Sequence, residues 1–90
     1  MTTVYSRHPD LRFTAVDGEG VALHLGSRQY FTVNETGVTI LDALKQPRTL
    51  AELVAAVTEE YDVTSEAAEQ SVHRFLTLCG DAALLHTEER

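Results

Sequence analysis

Across residues 30–41 the apolar spacing changes from every second residue to every third or fourth, with no loop residues between the two patterns. Tyr30, Phe31, Thr32 and Val33 are aromatic or β-branched and suit a strand. Asn34 follows at once and can accept a hydrogen bond from the first turn of a helix, with Glu35 near the positive end of its dipole. Gly37, Ile40, Leu41 and Leu44 then share one helical face, and Pro47 stops the helix. A strand that feeds a capped helix directly fixes the angle at which sheet and helix meet. It also leaves the strand where another backbone can reach it.

Two more strands precede this junction. Leu11, Phe13 and Ala15 alternate with Arg12, Thr14 and Val16, and Asp17-Gly18-Glu19-Gly20 supplies a turn. Val21, Leu23 and Leu25 alternate with Ala22 and His24, which predicts a second strand with His24 on its outward face. Gly26-Ser27 signals a hairpin into the third. A two-residue turn sets Leu23 opposite Tyr30, as the turn chemistry favours. A three-residue loop over 26–28 sets Leu23 opposite Phe31 and Val21 opposite Val33. The second register gathers the apolar residues on one face and is the expected one. It points Phe31 and Val33 inward and Tyr30 and Thr32 outward.

Two helices follow the junction helix. Thr49-x-x-Glu52 is a capping box, and Leu50, Leu53, Val54, Val57 and Tyr61 recur at helical spacing. Thr64 or Ser65 caps the last helix, whose apolar face is Ala68, Val72, Phe75, Leu76 and Cys79, with Gly80 suited to its C-terminal cap. Residues 82–86 form a short apolar tail. Strands grouped before helices predict an α+β domain, a three-stranded antiparallel sheet followed by three helices, with a winged-helix-like final arrangement. A meander puts the third strand on an edge. Residues 1–10 read as a flexible arm, 11–86 as the domain and 87–90 as a tail.

The chain has 90 residues, enough for one small domain. Seven Lys and Arg stand against fourteen Asp and Glu, and the net charge of −7 opposes phosphate binding. The last helix sets His73 and Arg74 against Glu66 and Glu69, the wrong balance for a helix reading DNA. No apolar run approaches the about 18 residues of a membrane span, and the N-terminus has no signal-peptide core, so a cytoplasmic protein is expected. His8, His24, His73, His86 and the single Cys79 show no metal-ligand spacing, so no metal or cofactor is expected. Cys79 lies on an apolar stripe, which predicts a buried, inert thiol. No phosphate loop, nucleophile elbow or paired-carboxylate motif occurs, which points to a binding protein rather than an enzyme. The feature with a use is the aromatic edge strand. Either a partner peptide pairs with it, or the C-terminal tail covers it within the same molecule.

Tyr30-Phe31-x-Val33-Asn34-x-Thr36-Gly37-x-x-Ile40-Leu41 resembles the strand-to-helix signature of PqqD-like proteins, the leader-recognition elements of ribosomally made peptide pathways. Thr49-x-x-Glu52-Leu53 with Tyr61, then Val72-x-x-Phe75-Leu76-x-x-Cys79 and Leu84-Leu85, resemble the later elements of that family over residues 21–85. Leu41 stands where a tryptophan is common in the family. The stand-alone members of lasso-peptide biosynthesis are the most similar. The resemblance implies non-catalytic binding of a precursor leader peptide antiparallel to the third strand, for presentation to a leader peptidase, with a cyclase acting afterwards. It implies a site made of Arg28, Gln29, Tyr30, Phe31, Thr32 and Val33 on the strand, with Val72, Phe75, Leu76 and Cys79 on the last helix. The alternatives are a PqqD-type chaperone for a radical enzyme and an acidic winged-helix regulator.

Overall fold

The computed structural model describes residues 2–81 and 84–89. Strands β1 (Thr3–Arg7), β2 (Leu11–Val16), β3 (Glu19–His24) and β4 (Gln29–Val33) precede helix α1 (Glu35–Ala43). A two-residue strand β5 (Arg48–Thr49), helices α2 (Leu50–Glu60) and α3 (Ser65–Asp81), and strand β6 (Leu85–Glu89) complete the order. The expected antiparallel meander β2-β3-β4 and the three helices are present. A second antiparallel sheet, β5-β1-β6, accompanies them.

Local chemistry accounts for most element ends. Asp17 and Gly18 both have positive φ, 53° and 80°, the pattern of a two-residue Asp-Gly hairpin turn. Asn34 Oδ1 accepts from Gly37 N at 2.9 Å and starts α1. Thr49 and Glu52 form a reciprocal capping box for α2, through bonds of 2.9 and 3.2 Å. The bond from the Thr49 main-chain N–H holds the Glu52 carboxyl below its usual range. Thr64 Oγ1 accepts from Ala67 N at 3.1 Å and so caps α3. Helix α3 runs through Gly80 to Asp81, so Gly80 belongs to its last turn and is not the cap that its composition suggested.

The hairpin register differs from the expected one. Leu23 pairs with Tyr30, Ala22 with Phe31 and Gly20 with Val33, the register of a two-residue turn, although the connection is a loop over residues 25–28 closed by Arg28 N–H donating to His24 O. The inner face of β3 is therefore Gly20, Ala22 and His24, while Val21 is 43% exposed on the outer face. The reason is clearance. A Cβ at Gly20 would stand 2.9 Å from both Phe13 Cε2 and Val38 Cγ2, so only a small residue lets α1 lie against the sheet. Counting apolar bulk chose the wrong face because the helix needs small residues beneath it. Phe31 and Val33 do point inward and Tyr30 outward, as expected.

Residues 3–7, expected as part of a flexible arm, form β1 and pair with β6 over five residues, from Thr3↔Glu89 to Arg7↔Leu85. Residues 87–89 lie in that pairing and not in a loose tail. Ala82 and Ala83 of the expected apolar tail lie outside the described residues. The core is centred on Ile40, Leu41, Leu44, Leu53 and Val72, all fully buried. Tyr61 OH donates to Glu35 O at 3.1 Å and ties the end of α2 to the start of α1.

The second sheet also finishes α1 at its C-terminus. The last carbonyls of a helix have no intrahelical partner and carry its negative pole. Arg7 from β1 donates to Leu41 O through Nε at 2.9 Å and also through Nη2. Arg48 from β5 donates to Ala43 O at 3.1 Å. The Arg7 guanidinium also lies 5.3 Å from the Phe13 ring centroid, and burial lowers its pKa from the ordinary arginine value. Arg7→Ala should therefore lower stability by about 1.5–3 kcal/mol, the range for hydrogen bonds to a charged group. Urea unfolding at neutral pH checks this, and an unchanged midpoint would contradict it.

Candidate peptide-binding groove

Strand β4 has β3 on one side and, among the described residues, no strand on the other. The C-terminal segment does not fill that position, because β6 is paired with β1. The intramolecular cover considered from the sequence is therefore not the arrangement adopted. An open strand edge has main-chain groups able to pair with another backbone.

Beside that edge lies a trough of 250 Å³ lined by Phe31, Thr32, Val33, Phe75, Leu78, Cys79 and Leu84. Its volume lies below the range for drug-sized ligands and suits one or two side chains. Of the residues expected at the site, Phe31, Thr32, Val33, Phe75 and Cys79 meet here. Gln29 and Tyr30 continue the same strand, Tyr30 being 73% exposed. Arg28 occupies the turn before it with φ 59°, its N–H donating to His24 O at 2.8 Å. Val72 is fully buried and Leu76 nearly so, and both hold α3 to the core instead of lining the trough.

Leu78 and Leu84 were not anticipated as lining. Leu78 is 62% exposed on the shoulder of the α3 stripe, three residues after Phe75. Spacing relative to Phe75 was the available signal, but attention to the buried stripe passes over its rim. Leu84 follows α3, and two main-chain bonds fix it. Its N–H donates to Cys79 O at 2.8 Å, and its carbonyl accepts from His8 N at 3.0 Å.

Gly37 sets the width of this region. A Cβ there would overlap Val33 Cγ1 and stand 2.7 Å from Phe75 Cε1. Strand β4, α1 and α3 thus converge at a point with no room for a methyl group. The Phe75 ring is held against α1 and turned along the trough. Burial pushes the Cys79 thiol up to about 12, so it acts as an apolar wall and not as a nucleophile.

His8, Asp10 and His24 form a separate cluster, with their nearest donor atoms within 4.8 Å of one another. His24 is buried, contrary to the expected outward face, because the register reverses the parity of β3. Its Nδ1 accepts from Ser27 N at 3.2 Å, and His8 Nδ1 accepts from Asp10 N at 3.0 Å. A metal-bound histidine normally donates its other N–H to an acceptor. Here the second nitrogen of each ring receives a hydrogen bond, so the cluster reads as a tie between the β1–β2 loop and the β3–β4 turn. A wider hollow of 510 Å³ opens around Thr14, Val16, Val21 and Thr32, with Glu19 its one ionisable side chain. It has no arrangement suited to acid–base work.

An unfilled sheet edge flanked by an apolar, helix-lined trough is an arrangement with room for a further strand. Residues 19–85 match the family model for coenzyme PQQ synthesis protein D (PqqD), and the chain belongs to that family. The structure is similar to TbiB1 in complex with the TbiA(beta) leader peptide, with a TM-score of 0.81 and 27% identity. That similarity covers 90% of this chain and 94% of the other. It is also similar in fold to a lasso peptide synthetase B1 complexed with the leader peptide, with a TM-score of 0.72 and 22% identity over 91% and 96% of the two chains. Among curated protein sequences, none matches this chain.

Two outcomes follow from the groove's geometry. Gly37→Ala should cost about 1–3 kcal/mol through overpacking and displace the Phe75 ring, measured by denaturant unfolding and by the ring's proton shifts. Wild-type values for both would contradict the convergence at Gly37. Iodoacetamide at pH 8 should label Cys79 about a thousandfold more slowly than free cysteine, because very little thiolate is present. Labelling at the free-cysteine rate would show that the thiol is not desolvated.

Proposed function

We propose that this chain is a non-catalytic leader-binding protein of lasso-peptide maturation. The leader of a ribosomally made precursor adds to β4 as an antiparallel strand. Main-chain groups of β4 supply hydrogen bonds that read no sequence, and alternate leader side chains enter the trough between β4 and α3. The bound precursor is then presented to a separate leader peptidase, with a cyclase acting later, in the cytoplasm. The observation that carries this reading is the open β4 edge beside the Phe31–Phe75–Leu78 trough.

The energetics are adequate. Each buried apolar leader side chain contributes about 1.5–3 kcal/mol before ordering costs. Two or three anchors, together with the strand hydrogen bonds, give micromolar to nanomolar affinity. A catalytic role finds little support. The cysteine beside the trough is held protonated, and no base lies among the trough's lining residues. No helix among the described residues is long and apolar enough to cross a membrane. The likeness to TbiB1 in complex with a leader peptide supports leader binding by this chain. The net charge of −7 disfavours a DNA-binding regulator.

The test is an NMR titration with the leader of the cognate precursor. Amide shifts should concentrate in residues 28–33 and along α3. Leu78→Asp should weaken binding about tenfold or more while leaving the melting temperature within a few degrees, because this side chain lines the trough but is largely exposed in the free protein. Shifts confined to α1 and α2, or undiminished binding by the Leu78 variant, would reject the groove.

A further inference from the structure

Among the described residues, four of the six Lys and Arg side chains are engaged. Arg7, Arg12 and Arg48 donate to main-chain carbonyls, and Lys45 pairs with Asp42 at 3.0 Å. Arg48 also lies 3.6 Å from Glu52. Among the described residues, only Arg28 and Arg74 make neither a side-chain hydrogen bond nor an ion pair. Arg74 has no acid available on its own helix. The positions three and four residues away are Gln70, Ser71, Thr77 and Leu78. Its neighbour His73, by contrast, stands 3.9 Å from Glu69.

Arg74 also has a definite position relative to the trough. A smaller hollow of 150 Å³ opens between the start of α1 and α3, lined in part by Asn34, Thr36, Ser71, Arg74, Phe75 and Leu78. Phe75 and Leu78 line the apolar trough as well, so the two hollows adjoin and lie in succession along α3. Along them β4 and α3 run in opposite senses. The apolar part lies at Phe31, Cys79 and Leu84, and the polar part lies at Asn34, Ser71 and Arg74. A guest strand antiparallel to β4 would enter at Arg74 and reach the apolar trough afterwards.

We infer that Arg74 is a specificity-determining residue that receives an acidic side chain of the bound peptide just before its first apolar anchor. This rests on the strand-addition reading and adds a charge requirement to it. The chain's overall charge would by itself favour a basic peptide. That field is screened within about 8 Å at physiological salt, so the nearest unpaired charge decides the local preference. Ser71 and Asn34 make the surroundings polar, so the incoming carboxylate keeps hydrogen-bonding partners. The contact is at the rim, where an exposed ion pair is weak, and its role is to set register and discriminate among peptides.

The test selects a display library of random dodecapeptides on the full chain, on Arg74→Gln and on Arg74→Glu. All three should enrich the same apolar anchors. Wild type should add Asp or Glu immediately before the first anchor, Arg74→Gln should lose that preference, and Arg74→Glu should replace it with Lys or Arg. For the wild-type consensus peptide, changing the acid to its amide should weaken binding about two- to fivefold at low salt, with little effect near 0.5 M salt. Apolar anchors without an acid, or an acid preference that survives Arg74→Glu, would overturn the inference and leave the groove standing. Absence of any shared consensus on wild type would overturn the strand-addition reading beneath it.

Discussion

The site depends on the contact between β4, α1 and α3 at Gly37. Because Gly37 has no side chain, Val33 and Phe75 can both close on the same turn of α1. Asn34 fixes that turn by accepting its main-chain N–H. Strand and helix therefore leave the junction at a set angle, and Phe75 cannot move toward α1. What remains open is the space on the far side of Phe75, along the free edge of β4. The groove is the gap left by a core packed tightly at one end.

The second sheet serves the same end from a distance. Pairing β6 with β1 takes the C-terminal segment away from β4, the edge it would otherwise be able to cover. The same sheet brings Arg7 and Arg48 to the last carbonyls of α1 and holds Leu84 at the end of the trough. Strands β1 and β6 thus brace the walls of a groove that neither occupies. Rigid walls matter because a short peptide must meet its ordering cost from a few contacts.

Features written in local chemistry were legible in the sequence. The Asn34 cap, the Thr49–Glu52 box, the Asp17-Gly18 turn and the apolar stripe of α3 each need only neighbouring residues. The edge position of β4 followed from short connections. Features set by distant partners were not legible. Strand β1 is polar and short, and its partner lies some eighty residues away in β6, so nothing nearby marks it as a strand. The β3–β4 register turned on Gly20 and Ala22, whose value lies in being small beneath α1. Once that parity reversed, His24 moved inside with them. In the site, the stripe rule found Phe75 and Cys79 but also Val72 and Leu76, which the core needs. It missed Leu78, because a residue on the rim of a groove is exposed in the free protein and gives no burial signal.

An open aromatic edge has a cost that this fold must contain. A second copy carries the same edge, and two such strands can pair with each other as readily as with a peptide. Three features oppose that outcome. Strand β4 is five residues long, which limits the ladder two copies could form. Arg28 stands just before it with a φ of 59°, so the extended backbone that a ladder needs does not continue past Gln29. Each molecule carries a net charge of −7, which two approaching copies must bring together. A leader segment avoids much of this penalty because it is a thin strand and not a second acidic domain. The same acidity that opposes phosphate binding thus keeps the edge from pairing with a second copy.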